Sequence, residues 1–148
     1  PCDDTFQPVP VHQIPRAQLA EFDRTCFPSP REAYLREWIA QPASCSFAAL
    51  EGGVLRGYAV ARRCRMGWKV GPLFAENRAL ATQLFRRCWE AAAEGPLFLD
   101  VPEANAEGLA LAREFGLEPV FHCTRMYLGP PPSIRQERIF GITTLELG

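Results

Sequence analysis

The sequence predicts an α/β fold whose mixed, mostly antiparallel sheet of about six to seven strands is flanked by about four helices. Three observations carry that prediction. Glu51-Gly52-Gly53 joins two apolar runs as a hairpin turn. A long amphipathic run over 76–94 lies between apolar stretches at 68–74 and 97–101, as a helix between two strands does. The chain has 148 residues, enough for one proper core without covalent staples, so residues 1–148 read as a single domain.

Residues 6–12 read as a short edge strand, because Pro8 and Pro10 would break ladder bonds in a central one. Residues 15–25 read as a helix with Pro15 in its first turn and a weak apolar stripe through Leu19, Phe22 and Phe27. Phe27-Pro28-Ser29-Pro30 is a stop and restart, where Ser29 can cap and Pro30 suits the first turn of a second helix over 31–40. In that helix Tyr34, Leu35, Trp38 and Ile39 recur at three- and four-residue spacing, which marks a buried face. Strands at 45–50, 54–64 and 68–74 form an antiparallel meander, the last two joined by Arg65-Met66-Gly67. Ala81, Leu84, Phe85, Cys88 and Ala92 line one face of the helix at 76–94. Gly95-Pro96 ends it, and 97–101 is expected to be a short, fully buried strand. Asn105 caps a helix over 105–115 that Gly116 terminates. Strands at 120–128 and 138–147 close the chain around the stiff loop 129–133, with His122 on a sheet face.

Composition narrows the function classes. The formal net charge is −1, so no global field recruits nucleic acid or an acidic membrane. The basic clusters Arg62, Arg63, Arg65, Lys69 and Arg86, Arg87 are of a size that solvated faces explain. Six cysteines at 2, 26, 45, 64, 88 and 123 form no Cys-x-x-Cys, and two histidines complete no zinc spacing, so no metal is expected. Cysteines within apolar runs suit a reducing, cytoplasmic compartment. No apolar run approaches the roughly 18 residues of a membrane span, and no signal peptide opens the sequence. A first residue of Pro1 rather than Met leads to the expectation that the domain is cut from a longer chain.

Leu99-Asp100-Val101 followed by Asn105, an apolar helix and Phe115-Gly116-Leu117 resembles the late motif of the GNAT N-acetyltransferase superfamily, and the element order matches over nearly the whole chain. Asp23 through Arg31, Trp38, Gly71-Pro72-Leu73-Phe74-Ala75, Leu99 through Pro102, Arg125-Met126 and the ending from Gly141 resemble the C-terminal domain of tandem-GNAT proteins in particular. The resemblance implies acetyl-CoA (coenzyme A) as cofactor, an amine as acceptor, and a second GNAT domain N-terminal to this one. Backbone groups of Leu73, Phe74 and Ala75 would pair with the pantetheine arm where the strands at 68–74 and 97–101 splay. Aligned on Leu84, the pyrophosphate loop runs from Glu76 through Asn77, Arg78, Ala79 and Leu80 to Ala81, and Asn105 borders the crevice. Glu76 replaces the family's leading Arg or Gln, and Ala79 replaces a glycine whose bareness lets amides approach phosphate.

The chemistry of acetylation sets further expectations. An amine of pKa about 10.4 is almost wholly charged at neutral pH, so a positioned base is needed. Asp100, at the end of the strand bordering the crevice, is the candidate base, with a partner for a neighbouring Arg or for a helix N-terminus as its alternative. Ala112 stands where many family members carry a Tyr general acid, leaving Tyr127, Tyr34 or a water for that role. Asp23, Phe27 and Arg31 fall where the family builds acceptor pockets, and Arg31 could clamp a substrate carboxylate through its fork. The expected function is direct acetyl transfer to a small or terminal amine. The rival is a non-catalytic GNAT-like domain that binds an acyl-CoA or a partner domain and regulates or scaffolds.

Overall fold

The computed structural model describes residues 7–92 and 95–147. In order these are β1 (Val9–Pro10), a 3-10 turn (Val11–Gln13), α1 (Arg16–Cys26), α2 (Glu32–Ala40), β2 (Ser44–Glu51), β3 (Val54–Arg63) and β4 (Trp68–Ala75). There follow α3 (Arg78–Ala91), β5 (Leu97–Leu99), α4 (Ala106–Glu114), a second 3-10 turn (Gln136–Arg138) and β6 (Ile139–Gly141). The sheet runs β1-β2-β3-β4-β5 with β6 also on β4, and only the β4–β5 pair is parallel. The predicted class is thus found, with six strands.

The core lies on both faces of the sheet, and the period of two along β3 explains how. Tyr58 and Val60 point to the side that α1 and α2 cover, with Leu19, Phe22 and Leu35. Ala59 and Ala61 point to the other side, against Leu80, Leu84, Phe85 and Cys88 of α3. Small residues there let the helix sit close to the strand. β4 repeats the pattern, with Leu73 facing α3 and Phe74 facing α1. Leu111 brings α4 onto the α3 side of the core.

Gly67 turns the chain into β4 with φ +80°, and a Cβ there would lie 2.0 Å from the Pro96 carbonyl oxygen, which accepts from the Trp68 amide at 2.9 Å. That contact sets β5 beside the start of β4, pairing Leu97, Phe98 and Leu99 with Trp68, Lys69 and Val70. Past Val70 the two strands separate. β6 takes the vacated edge, pairing Gly141 with Leu73 and Ile139 with Phe74.

Four expectations need correction. The strand expected at 120–128 does not form; the segment has no regular secondary structure and is exposed, and no described strand pairs with it. His122 is consequently exposed rather than on a sheet face. The strand at 138–147 contracts to Ile139–Gly141, which pairs with Leu73 and Phe74 on the β4 edge beyond β5. The strand at 97–101 contracts to Leu97–Leu99 and is half-buried, since it borders the sheet. The end of the helix expected to reach 94 falls partly outside the described residues.

Candidate active site

The β4–α3 junction is built as an anion pole. Asn77 caps α3, its side-chain oxygen accepting from the Leu80 amide at 3.0 Å, and the Ala81 amide donates to the Asn77 carbonyl at 3.1 Å. The amides of Arg78 and Ala79 meet no acceptor among the described residues, so the positive end of the helix presents two free donors. Glu76, the departure that would repel a phosphate, is drawn aside by two arginines. Its carboxylate accepts from Arg56 at 3.2 Å and from Arg138 at 3.1 Å. Arg138 also donates to Thr25 at 3.2 Å and lies over the Phe22 ring. Sequence reading missed Arg56 and Arg138, which lie far from Glu76 in the chain; the only signal was an acid in an anion loop that needed compensation. Arg78 itself reaches to α4, donating to Glu114 at 2.8 Å, with Glu107 at 3.5 Å.

The splay between β4 and β5 is present but occupied by the chain itself. Leu73 and Phe74, expected to offer free backbone groups, pair with β6. Gly141 fits the slot because it has no side chain: a Cβ would come 2.5 Å from Leu99 Cδ1 and 3.3 Å from Leu73 Cβ. The Ile142 amide donates to the Asp100 carbonyl at 3.0 Å and extends the contact to the end of β5. Asn105 locks this arrangement. Its side-chain oxygen caps α4 through the Gly108 amide at 3.0 Å, while its Nδ2 donates to the Ile139 carbonyl at 2.9 Å and the Glu137 carbonyl at 3.3 Å. The Asn105 side chain is therefore committed to α4 and β6. Of the coenzyme A expectations, the residues fit at the anionic end only. A pantetheine arm does not fit along Leu73 and Phe74 while β6 is paired there.

Asp100 is half-buried at the crevice mouth, and its carboxylate forms an ion pair with Lys69. The ion-pair alternative for this residue is thus realised, with a lysine two positions into β4, rather than an arginine, as partner. Tyr34 stacks on Trp38 with ring centroids 5.3 Å apart, and Trp38 Nε1 donates to the Gly71 carbonyl at 2.9 Å, which ties α2 to the middle of β4. The Tyr34 hydroxyl is buried with no hydrogen-bond partner among the described residues, and burial raises its pKa. Tyr127 is exposed, its hydroxyl 3.3 Å from Arg125. Ala112 brings no titratable group.

Asp23, Phe27 and Arg31 do come together, but as a closed cluster. The Arg31 fork donates to Asp23 at 2.8 and 2.7 Å, and Tyr58 donates to the same carboxylate at 2.5 Å. The Arg31 guanidinium lies 3.8 Å from the centroid of the Phe27 ring. Asp23 and Tyr58 are buried, so the fork is spent inside the protein and does not clamp a substrate carboxylate. Burial, the largest single influence, would lower the Arg31 pKa, but the Asp23 hydrogen bond together with the charges of Tyr58, Asp23 and Tyr34 outweighs it and the net shift is upward. Burial and the Asp23 charge push Tyr58 well above the usual phenol range, so it stays a donor. Tyr58 was read only as part of a strand, since nothing local in sequence links it to Asp23.

A family profile described as an acetyltransferase (GNAT) domain matches residues 19–141. The chain belongs to the GNAT acetyltransferase-domain family. A holothin acyltransferase from Pseudoalteromonas sp. (strain SANK 73390) is 30% identical over 132 residues, spanning 88% of this chain and 45% of that one. The GNAT domain also superposes on the crystal structure of an acetyltransferase, described as putative, from Pyrococcus horikoshii, with a TM-score of 0.80 and 24% identity, over 96% of this chain and 46% of that one. An aminoglycoside N-acetyltransferase, AAC(6')-Iy, solved with CoA, shares the fold with a TM-score of 0.61 at 14% identity, over 82% of this chain and 92% of that one. The chain spans less than half the length of the curated relatives it matches.

Proposed function

We propose that this GNAT domain serves an N-acetyltransferase that transfers acetyl from acetyl-CoA to an amine. The observation that carries the reading is the anion pole of α3, where the Arg78 and Ala79 amides are free and Glu76 is turned to Arg56 and Arg138. Family membership and the CoA-bound structural neighbour support the choice of anion. When bound, acetyl-CoA would supply the acetyl group activated as a thioester, with coenzyme A as the leaving thiol. The Arg78 and Ala79 amides would hold its phosphates, while the Lys69–Asp100 pair would set the charge at the crevice mouth. Because β6 occupies the Leu73–Phe74 edge, binding of the arm requires β6 to yield. The domain's natural setting would be a longer chain, which the greater length of the relatives supports, with a second GNAT domain and a cytoplasmic location as further parts of the proposal.

The β6 pairing favours a second reading, a non-catalytic domain that regulates or scaffolds. Calorimetric titration with acetyl-CoA, a thiol-release assay over a panel of amines and amide exchange at 139–144 separate the two. Binding with turnover and faster exchange at β6 supports the enzyme. Binding without turnover supports the regulatory domain, and no binding at millimolar acetyl-CoA removes the cofactor from both.

A further inference from the structure

The largest unexplained feature lies away from the crevice. Residues 118–131 are exposed without a break. Within them, 120–128 reads Val-Phe-His-Cys-Thr-Arg-Met-Tyr-Leu, dense in β-branched and aromatic residues and carrying Arg125 as its one permanent charge. Val120 is 78% exposed and Met126 is 86% exposed, with Phe121, Tyr127 and Leu128 also open to solvent. Pro119 and Pro130 bound the segment; neither can donate to a strand ladder, so the pairing unit is marked at both ends. Natural edge strands are short, charged or interrupted to prevent unwanted pairing, and of those protections this segment has the single charge of Arg125. Among the described residues it pairs with no strand: β5 is three residues long, and beyond it β6 pairs with Leu73 and Phe74 of the β4 edge.

We propose that residues 120–128 form a β-strand that adds to an open sheet edge of a second domain carried by the same polypeptide. The inference rests on the reading of a longer natural chain, and it names the segment through which the two parts join. The relatives supply the reason to choose this occupant. A holothin acyltransferase and the Pyrococcus horikoshii protein are each about twice as long as the matched region, which leaves room for one further domain of this size. In a strand, Val120, His122, Thr124, Met126 and Leu128 would line one face and Phe121, Cys123, Arg125 and Tyr127 the other. Main-chain ladder bonds would supply affinity, and both faces carry apolar side chains to bury.

The experiment uses the protein at its natural length. Intact mass first establishes whether the chain extends beyond these residues. Hydrogen exchange then reads the 120–128 amides, and a photo-crosslinking residue in place of Met126 reports what lies beside them. Protection of alternate amides by about a hundredfold or more over free-peptide rates, with cross-links to residues outside 1–148 of the same molecule, is the expected result. A natural chain no longer than this one overturns the longer-chain reading and the proposal with it. A longer chain whose 120–128 amides exchange at free-peptide rates overturns the docking alone. Cross-links that join two copies instead identify a second copy as the partner and also overturn it.

Discussion

β6 and residues 120–128 are separated by the loop and turn at 129–138, and the fold treats them oppositely. β6 is three residues long, wholly buried and paired with β4. The longer and equally β-prone segment before it is bare. The difference is not in propensity but in supply of edges. β5 follows β4 only as far as Val70, and the free edge beyond accepts a short strand in the slot beside Leu99. A strand is stabilised by the ladder it joins, so the short segment with an edge is ordered into the sheet and the long one without an edge is not.

Substitutions can break or sharpen this contrast. The scale is set by the buried charge cluster on the far side of β4. Asp23→Asn leaves the Arg31 guanidinium without its carboxylate, and a loss of about 3–5 kcal/mol is expected in denaturant unfolding. Tyr58 in the same cluster adds a pH dependence. Its folded pKa is raised, so below about pH 10 both states hold the proton and stability is intact; above that the unfolded chain loses it first, and stability falls as pH rises toward the folded value. Tyr58→Phe should flatten that alkaline decline in unfolding midpoints measured against pH.

At β6, Gly141→Ala drives a methyl into Leu99 and Leu73 and should cost about 1–3 kcal/mol, with faster amide exchange confined to 139–144 and the end of β4. Asn105→Ala removes the α4 cap and the donor to Ile139, for an expected loss of about 1–2 kcal/mol. If β6 obstructs the crevice, both variants should bind acetyl-CoA more tightly than the parent despite lower stability; weaker binding in both would show that β6 helps form the site. Met126→Asp should change the stability of residues 1–148 by less than about 0.5 kcal/mol, because the side chain touches nothing there. A large effect in the natural-length protein beside a null effect here would be the sharpest form of the contrast.

Much of the fold was legible because local signals agreed with tertiary ones. Asn105 caps a helix as side chains of that type do ahead of an apolar run, and the Gly52-Gly53 hairpin lies where two apolar runs meet. The anion pole was legible as a strand feeding a helix. The rest of the site was not, since each missed contact joins residues distant in sequence: Asp100 to Lys69, Glu76 to Arg56 and Arg138, Asp23 to Tyr58. Those pairings decide whether a charge is available for chemistry or committed to structure.

The sequence by itself determined the class, the family and the order of elements as far as α4, because periodicity, caps and turn residues act over a few positions. Only the tertiary structure decided that β6 closes the Leu73–Phe74 edge, that Arg31 spends its fork on Asp23, and that 120–128 stays unpaired. Each of these is a competition for a single partner, a strand edge or a carboxylate, and such a competition is settled only when distant parts of the chain meet in space.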